Sequence, residues 1–148
     1  MNNIDKLLGD IASATKELKA EKYKLADEAT ESTLKIEKKL TELGFTLDVK
    51  HVLHFNGGAE EVRDDICGFY KAFTWKNCGK QGYRIVYQEY WLDFVDDGFN
   101  GDLVATYKVD KVFGECSSEL RAEYGGHLEN FLKECLDEIQ KEVKICIL

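Results

Sequence analysis

The sequence predicts an α+β fold with the element order α-β-β-β-β-α. Residues 3–43 have a helical period, the next segment changes to a period of two, and the last 30 residues or so return to a helical period. Four β-rich runs with short, glycine-containing connections lie between the helices. We therefore expect an antiparallel meander sheet with both helices packed on one face. Residues 1–148 are treated as one domain, in which 44–148 hold the sheet and the amphipathic C-terminal helix.

The first helix is predicted over residues 3–43, which contain no proline and only one glycine, Gly9. A helix of this length measures about 60 Å, twice the diameter of about 30 Å expected for a small domain. One domain cannot cover its apolar stripe, so we expect a homodimer through this helix, unless the helix breaks near Asp27–Ser32 and folds back. The stripe has polar interruptions, and its apolar positions are the predicted self-association residues Ile4, Leu8, Ile11, Leu18, Leu25, Ala29 and Ile36.

Gly44 is predicted to end this helix, and the clearest strand signal of the chain follows it. Alternation predicts that one face of this strand carries the apolar side chains Phe45, Leu47, Val49, Leu53 and Phe55. His51 and His54 have a spacing that would suit a metal on a helix. On a strand we expect them to point to opposite faces, so no metal site is predicted.

The remaining elements follow from turn residues and from changes of period. One helical turn is predicted at 59–65, and three further strands at 66–76, 83–94 and 103–113. In the third strand the apolar parity changes, which predicts a β-bulge near Gln88–Glu89. Ser117 or Ser118 can cap the last helix, which the pair Gly125-Gly126 interrupts.

The composition restricts the partners of this protein. Its net charge is −8 and its pI about 4.9. This charge disfavours direct binding to nucleic acids and to anionic membranes, and favours a basic protein partner. No run of 18 apolar residues is present. The N-terminal residues lack the pattern of a secretion signal, so we expect a cytoplasmic protein. The five widely spaced cysteines are expected to be free thiols.

No motif for catalysis or for a cofactor is recognisable. The acidic segment 93–102 resembles a calcium loop only in composition, because neither glycine register supplies the required ligands. Residues 79–82 lack the spacing of a phosphate-binding loop, and no nucleophile motif occurs. We therefore predict no cofactor, no metal and no catalytic residue.

The strongest local bias lies between Ile85 and Tyr107, where five acidic residues and several aromatics occur without any lysine or arginine. Aromatic anchors bordered by carboxylates are typical of a surface that docks a basic partner. The predicted partner-binding residues are Glu89, Trp91, Asp93, Asp96, Asp97, Phe99 and Asp102.

These observations favour a non-enzymatic interaction protein that assembles through its first helix. An acidic inhibitor of a basic toxin or nucleic-acid-handling protein fits this description, such as an immunity protein or a phage-encoded inhibitor of host defence. This interpretation is an analogy with a functional class. The alternatives are a small-molecule-binding module with an aromatic pocket, and an enzyme of unrecognised type.

Overall fold

The computed structural model describes residues 2–57, 67–96, 98 and 101–147. Its main elements are α1 (Asn3–Glu42), β1 (Val49–Asn56), β2 (Gly68–Asn77), β3 (Tyr83–Asp96), β4 (Gly101–Val112), α2 (Ser118–Tyr124) and α3 (Leu128–Ile147). The predicted order of elements is confirmed, with the C-terminal helix divided into α2 and α3. The helical turn predicted at 59–65 lies outside the described residues.

Helix α1 is continuous, so the alternative of a hairpin near Asp27–Ser32 is wrong. The side chain of Asn2 caps its start by accepting a hydrogen bond from the Asp5 N–H, at 3.0 Å. Gly44 follows its end with a φ of 71°, the left-handed conformation in which glycine terminates helices. With 40 residues, the helix is about 60 Å long.

The four strands form one antiparallel sheet in the order β1-β2-β3-β4, so chain neighbours are also sheet neighbours. The main core lies between one face of this sheet and the helices, as the packing prediction requires. Phe73 of β2 is its centre, with its ring 4.6 Å from that of Phe113 and 6.2 Å from that of Phe131. Trp75 is also buried there, and its indole N–H donates to the Phe45 carbonyl. This bond anchors the segment before β1 to the core.

A β-bulge in β1 changes which face its last residues occupy. Val52 lies opposite Ala72, whereas His54 lies opposite Lys71, so Leu53 is an inserted residue. Phe55 consequently packs on the far face of the sheet, with its ring 4.6 Å from that of Tyr70. The prediction that Phe55 shares the core face of Phe45, Leu47, Val49 and Leu53 is therefore wrong, while these four residues do contact the main core.

The same bulge affects the two histidines. His51 lies opposite Phe73 and His54 opposite Lys71, and these two β2 residues are two apart and share a face. The expectation that the histidines occupy opposite faces is therefore wrong, because it assumed unbroken alternation. His51 is hydrogen-bonded to Glu134 of α3 at 3.1 Å, and His54 is exposed.

A second bulge lies where the parity change in β3 predicted one, but on the neighbouring strand. Strands β2 and β3 keep a continuous register, whereas Glu89 lies opposite Val109 and Tyr90 lies opposite Tyr107. Lys108 of β4 is therefore the inserted residue. The parity change itself reflects a second apolar cluster on the far face, where Tyr90 stacks on Tyr70 at 5.2 Å.

Helix α2 packs across the second half of α1. Ser117 caps it by accepting from the Leu120 N–H, as one of the two predicted caps. Arg121 donates to the Ala26 carbonyl and to the Thr30 hydroxyl of α1, at 3.3 and 2.8 Å. Residues 125–127 form the predicted interruption, a single 3₁₀ turn. This turn between α2 and α3 lies directly beside Ala29 of α1.

Candidate protein-binding site

The ends of β3 and β4 form a two-stranded arm that extends beyond the rest of the sheet. Strand β2 begins at Gly68, which lies opposite Leu92, so among the described residues the part of β3 after Leu92 pairs only with β4. We call residues 91–96 and 101–107 the acidic arm, which begins at the last two β3 residues that still pair with β2, Trp91 and Leu92. Its strands continue further than the sequence predicted, because β3 reaches Asp96 and β4 begins at Gly101.

Apolar side chains are exposed on both faces of the acidic arm. Trp91 is 49% exposed, although its ring contacts that of Phe69 at 5.0 Å, and Phe94 is 59% exposed. Val95, Leu103, Val104 and Tyr107 are exposed as well. Leu103 and Val104 are not among the predicted partner-binding residues, because in the sequence they are ordinary strand residues. Only the pairing of β4 with β3 places them beside Trp91 and Phe94.

Strand alternation divides the predicted partner-binding residues between the two faces of the arm. Trp91, Asp93 and Asp102 belong to the face that continues the helix side of the sheet, whereas Asp96 belongs to the other. The Asp96 carboxylate accepts a hydrogen bond from the Gly98 N–H at 2.8 Å. Asp97 and Phe99 lie outside the described residues.

Glu89 is placed in the packed part of the sheet rather than on the arm. Its carboxylate accepts from the Tyr87 hydroxyl at 2.6 Å, and it lies opposite Lys71. Lys71 in turn donates to the hydroxyl of Tyr124 at 3.2 Å, which raises the pKa of the lysine. Burial, followed by the bond to Glu89, raises the pKa of Tyr87. Glu89 thus takes part in the contact between the sheet and α2.

The predicted self-association residues fall into two groups on α1. Ile4, Leu8, Ile11, Leu18 and Leu25 are exposed, whereas Ala29 is buried and Ile36 packs against the main core. Ala29 and Ile36 are therefore covered in part by their own chain. The boundary lies at Ala26, where α2 begins to cover the helix.

A groove runs along α1 beside α2 and the start of α3, and we call it the α1 groove. Three neighbouring hollows that share lining residues make it continuous. Its floor carries the stripe residues Leu18, Lys22, Leu25, Ala29, Ser32, Ile36 and Lys39, flanked by Glu21, Glu28, Lys35 and Leu40 of the same helix. Its wall consists of Glu119, Ala122, Glu123, Gly125, Gly126, Leu128, Glu129 and Leu132. The floor is the second part of the stripe that periodicity identified, whereas the wall could not be found without the fold.

The part of the groove at Ile36 and Leu132 has a volume of about 500 Å³ and is open to solvent. Its lining includes the charged side chains Lys35, Lys39 and Glu129. A small-molecule site normally encloses its ligand and directs several polar groups at it. This geometry suits an elongated apolar segment better than a small molecule.

The cysteines are free thiols, as predicted. Cys116 and Cys135 are buried, Cys67 and Cys78 are partly buried, and Cys146 is exposed. Burial raises the pKa of Cys135 to about 12, so this thiol is protonated and unreactive at neutral pH. Within the described ranges, no group of three or more histidine, cysteine, aspartate or glutamate side chains is arranged to hold a metal ion.

Comparison with known proteins gives no match: no family model, no curated protein and no solved structure resembles this chain. Among the helices of the described part of the chain, none is both long and apolar enough to cross a membrane. Any functional conclusion therefore depends on the acidic arm and on the α1 groove.

Proposed function

We propose that this chain is a non-enzymatic, cytoplasmic interaction protein that binds a basic protein partner through the acidic arm. The observation that supports this function is the arm itself, which exposes Trp91 and Phe94 next to Asp93, Asp96 and Asp102. No lysine or arginine occurs between Ile85 and Tyr107 to neutralise these carboxylates.

The arm suits a partner that ordinarily binds phosphate groups. Its carboxylates can occupy positions where such a protein expects negative charge, and its aromatic side chains can supply the apolar contact that holds the complex. An inhibitor of a toxin or of a nucleic-acid-handling enzyme, of the immunity-protein or phage-inhibitor class, would act in this way. With a net charge of −8, the chain itself is a poor ligand for nucleic acid.

Self-association through α1 is the second part of this proposal. The first half of α1 exposes its apolar stripe to solvent, and large exposed apolar patches are typical of interaction sites. A homodimer would present two acidic arms, so that a multimeric partner could be bound at two points.

Affinity capture from the host lysate, at low and at moderate salt, tests the binding of a basic partner. The Trp91→Ala variant should dissociate from the captured partner about 30-fold faster, because it loses an anchor that is buried in the complex. The double reversal Asp93→Lys and Asp102→Lys should slow association about 10-fold at low salt, with a smaller effect as salt rises.

The double reversal Glu42→Lys and Asp48→Lys is the matched control, since it makes the same charge change as the double arm variant at two exposed positions just before β1, by the opposite end of the sheet. Its binding should equal that of the parent apart from a small effect of net charge. If both arm variants bind like the parent, the arm is not the binding surface. If the purified protein turns over a small molecule and one Asp, His or Cys change abolishes that turnover, the non-enzymatic function is wrong.

A further inference from the structure

We propose that the exposed first half of α1 from a second copy of this chain fills the α1 groove, in an antiparallel dimer with two-fold symmetry. This inference specifies the self-association proposed above and does not depend on the acidic arm. Each copy would supply a groove for its partner and a helix segment for the partner's groove.

The length of the exposed segment matches that of the groove. The stripe on the exposed half runs from Ile4 to Leu25, and the groove floor runs from Leu18 to Lys39, so both cover 21 residue steps. At 1.5 Å per residue, each is about 32 Å long. Both follow the same alternating steps of four and three, the period at which two helices keep a continuous seam.

An antiparallel register brings large side chains opposite small ones. The apolar stripe of each helix forms the seam, and each stripe residue of one helix faces a stripe residue of the other. In the register that we propose, the numbers of two facing residues always add up to 40. The large residues Leu8 and Ile11 then face the small groove residues Ser32 and Ala29. The full set of facing pairs is Ile4 with Ile36, Leu8 with Ser32, Ile11 with Ala29, Thr15 with Leu25, and Leu18 with Lys22.

Charge favours the same arrangement. The groove wall beside Leu18 and Leu25 carries Glu119 and Glu123 from α2. In the antiparallel register, the incoming helix places Lys16 and Lys19 on the side that faces this wall, because they lie on the same flank of α1 as the residues that α2 covers. Two lysines would therefore meet two glutamates in each half of the dimer.

The contact is large enough for a stable dimer. Each copy would use α1 from Ile4 to Ile36, a strip about 48 Å long and about 10 Å wide. The projected area of about 500 Å² grows when the relief of the side chains is included, toward the roughly 800 Å² per partner of stable interfaces. In a parallel pair, the second half of α1 from one copy would lie beside the second half from the other copy. Neither groove would then be filled by an exposed first half.

The first test is the oligomeric state of the purified protein by light scattering and sedimentation. The parent should be a dimer, and Ile11→Arg should weaken the dimer about 30-fold or more, because an arginine would have to enter the narrow part of the groove. Leu34→Arg is the matched control, an exposed leucine on the same helix that does not line the groove, and it should remain dimeric. Ile11 is exposed in the single chain, so its variant should keep the circular dichroism spectrum of the parent.

The second test establishes the direction of the helices. Two single variants, Leu8→Cys and Ser32→Cys, are made in a background in which Cys67, Cys78 and Cys146 are replaced by serine. In an antiparallel dimer, the mixture of the two variants forms a cross-linked heterodimer, while neither variant alone cross-links. In a parallel dimer, Leu8→Cys cross-links with itself, and the proposal is overturned.

The outcomes separate this inference from the broader proposal. A monomer at high concentration overturns both self-association and the filled groove. A dimer that Ile11→Arg leaves intact, or one that dissociates only on changes in α3 such as Leu136→Arg, supports self-association but contradicts the filled groove. Neither result bears on the binding of a basic partner by the acidic arm.

Discussion

At the residue scale, Glu37 of α1 takes the place of a missing strand neighbour. Strand β4 pairs with β3 only up to Val86, so the Ile85 N–H has no strand partner on that side. The Glu37 carboxylate accepts this N–H at 2.8 Å and also accepts from Arg84 Nε at 2.8 Å. Glu37 is 5% exposed, and its second oxygen has no hydrogen-bond partner within the described structure. The side chain therefore connects α1 to the edge of β3.

We predict that Glu37→Ala lowers the free energy of unfolding by about 2–4 kcal/mol, because it leaves a buried N–H and a half-buried arginine without their partner. Glu37→Gln should cost less, since the amide oxygen can still accept from Ile85. Chemical denaturation measures both. Glu42→Ala, at an exposed position five residues further along α1, is the control and should change the value by less than about 0.5 kcal/mol. A similar small loss for Glu37→Ala would show that water replaces the carboxylate.

At the element scale, the turn between α2 and α3 depends on one glycine more than on the other. A Cβ added to Gly125 would lie 2.6 Å from the Cβ of Ala29, whereas one added to Gly126 would meet nothing within 4 Å. The close approach of α1 to this turn thus requires Gly125 and tolerates a side chain at Gly126. The two positions are adjacent, which makes them a matched pair.

We predict that Gly125→Ala destabilises the fold by about 1–3 kcal/mol, since α1 and the turn must move apart. Gly126→Ala should be neutral or stabilising by up to about 1 kcal/mol, because alanine restricts the unfolded chain. Thermal and urea unfolding of the two variants provides the comparison. Adding Ala29→Gly to Gly125→Ala should recover part of the loss, and equal effects of the two alanine variants would contradict the close approach.

Periodicity was sufficient to predict the type and order of the elements, but it could not determine which face a residue occupies after a bulge. Unbroken alternation through Leu53 predicts Phe55 on the core face, but Leu53 is the residue that the bulge inserts. In β3, the parity change correctly located an irregularity, yet the inserted residue is Lys108 of β4. A single sequence shows that the apolar alternation of a strand is broken. Only the pairing of that strand with its neighbour shows which of the two strands carries the extra residue.

At the scale of the whole molecule, the stripe on α1 shows a second limit of the sequence. Its helical period identified the apolar face over the full length of α1. The length of the helix, compared with the diameter of a small domain, implied that one domain could not cover this face. The period could not show that α2 and α3 would lie beside the second half and leave the first half exposed. The acidic arm was likewise predicted in part, as the biased segment from Ile85 to Tyr107, whereas its two faces follow only from the pairing of β3 with β4.

We predict that the backbone amides of residues 3–18 exchange with solvent at a rate that depends on protein concentration. The described part of the chain makes no buried contact with this segment, and isolated helices are marginal in water. Hydrogen exchange at about 1 μM and at about 100 μM should show stronger protection at the higher concentration, because the dimer covers the segment. The amides of β2 around Phe73 serve as the internal reference and should exchange equally slowly at both. Equal protection of 3–18 at both concentrations would mean that this helix needs no second copy.

The bulge at Lys108 has a consequence for solubility. Strand β4 forms the outer edge of the described sheet over Gly101–Val112, and a long regular edge is a template on which further strands can stack into fibrils. The inserted lysine interrupts the row of backbone donors and acceptors near the middle of this edge, and bulges also twist an edge away from a flat partner. Asp110 and Lys111 follow within three residues and add charge that a stacked copy would have to desolvate. The irregularity that disturbs the pattern of the sequence thus protects the protein against aggregation through its longest edge.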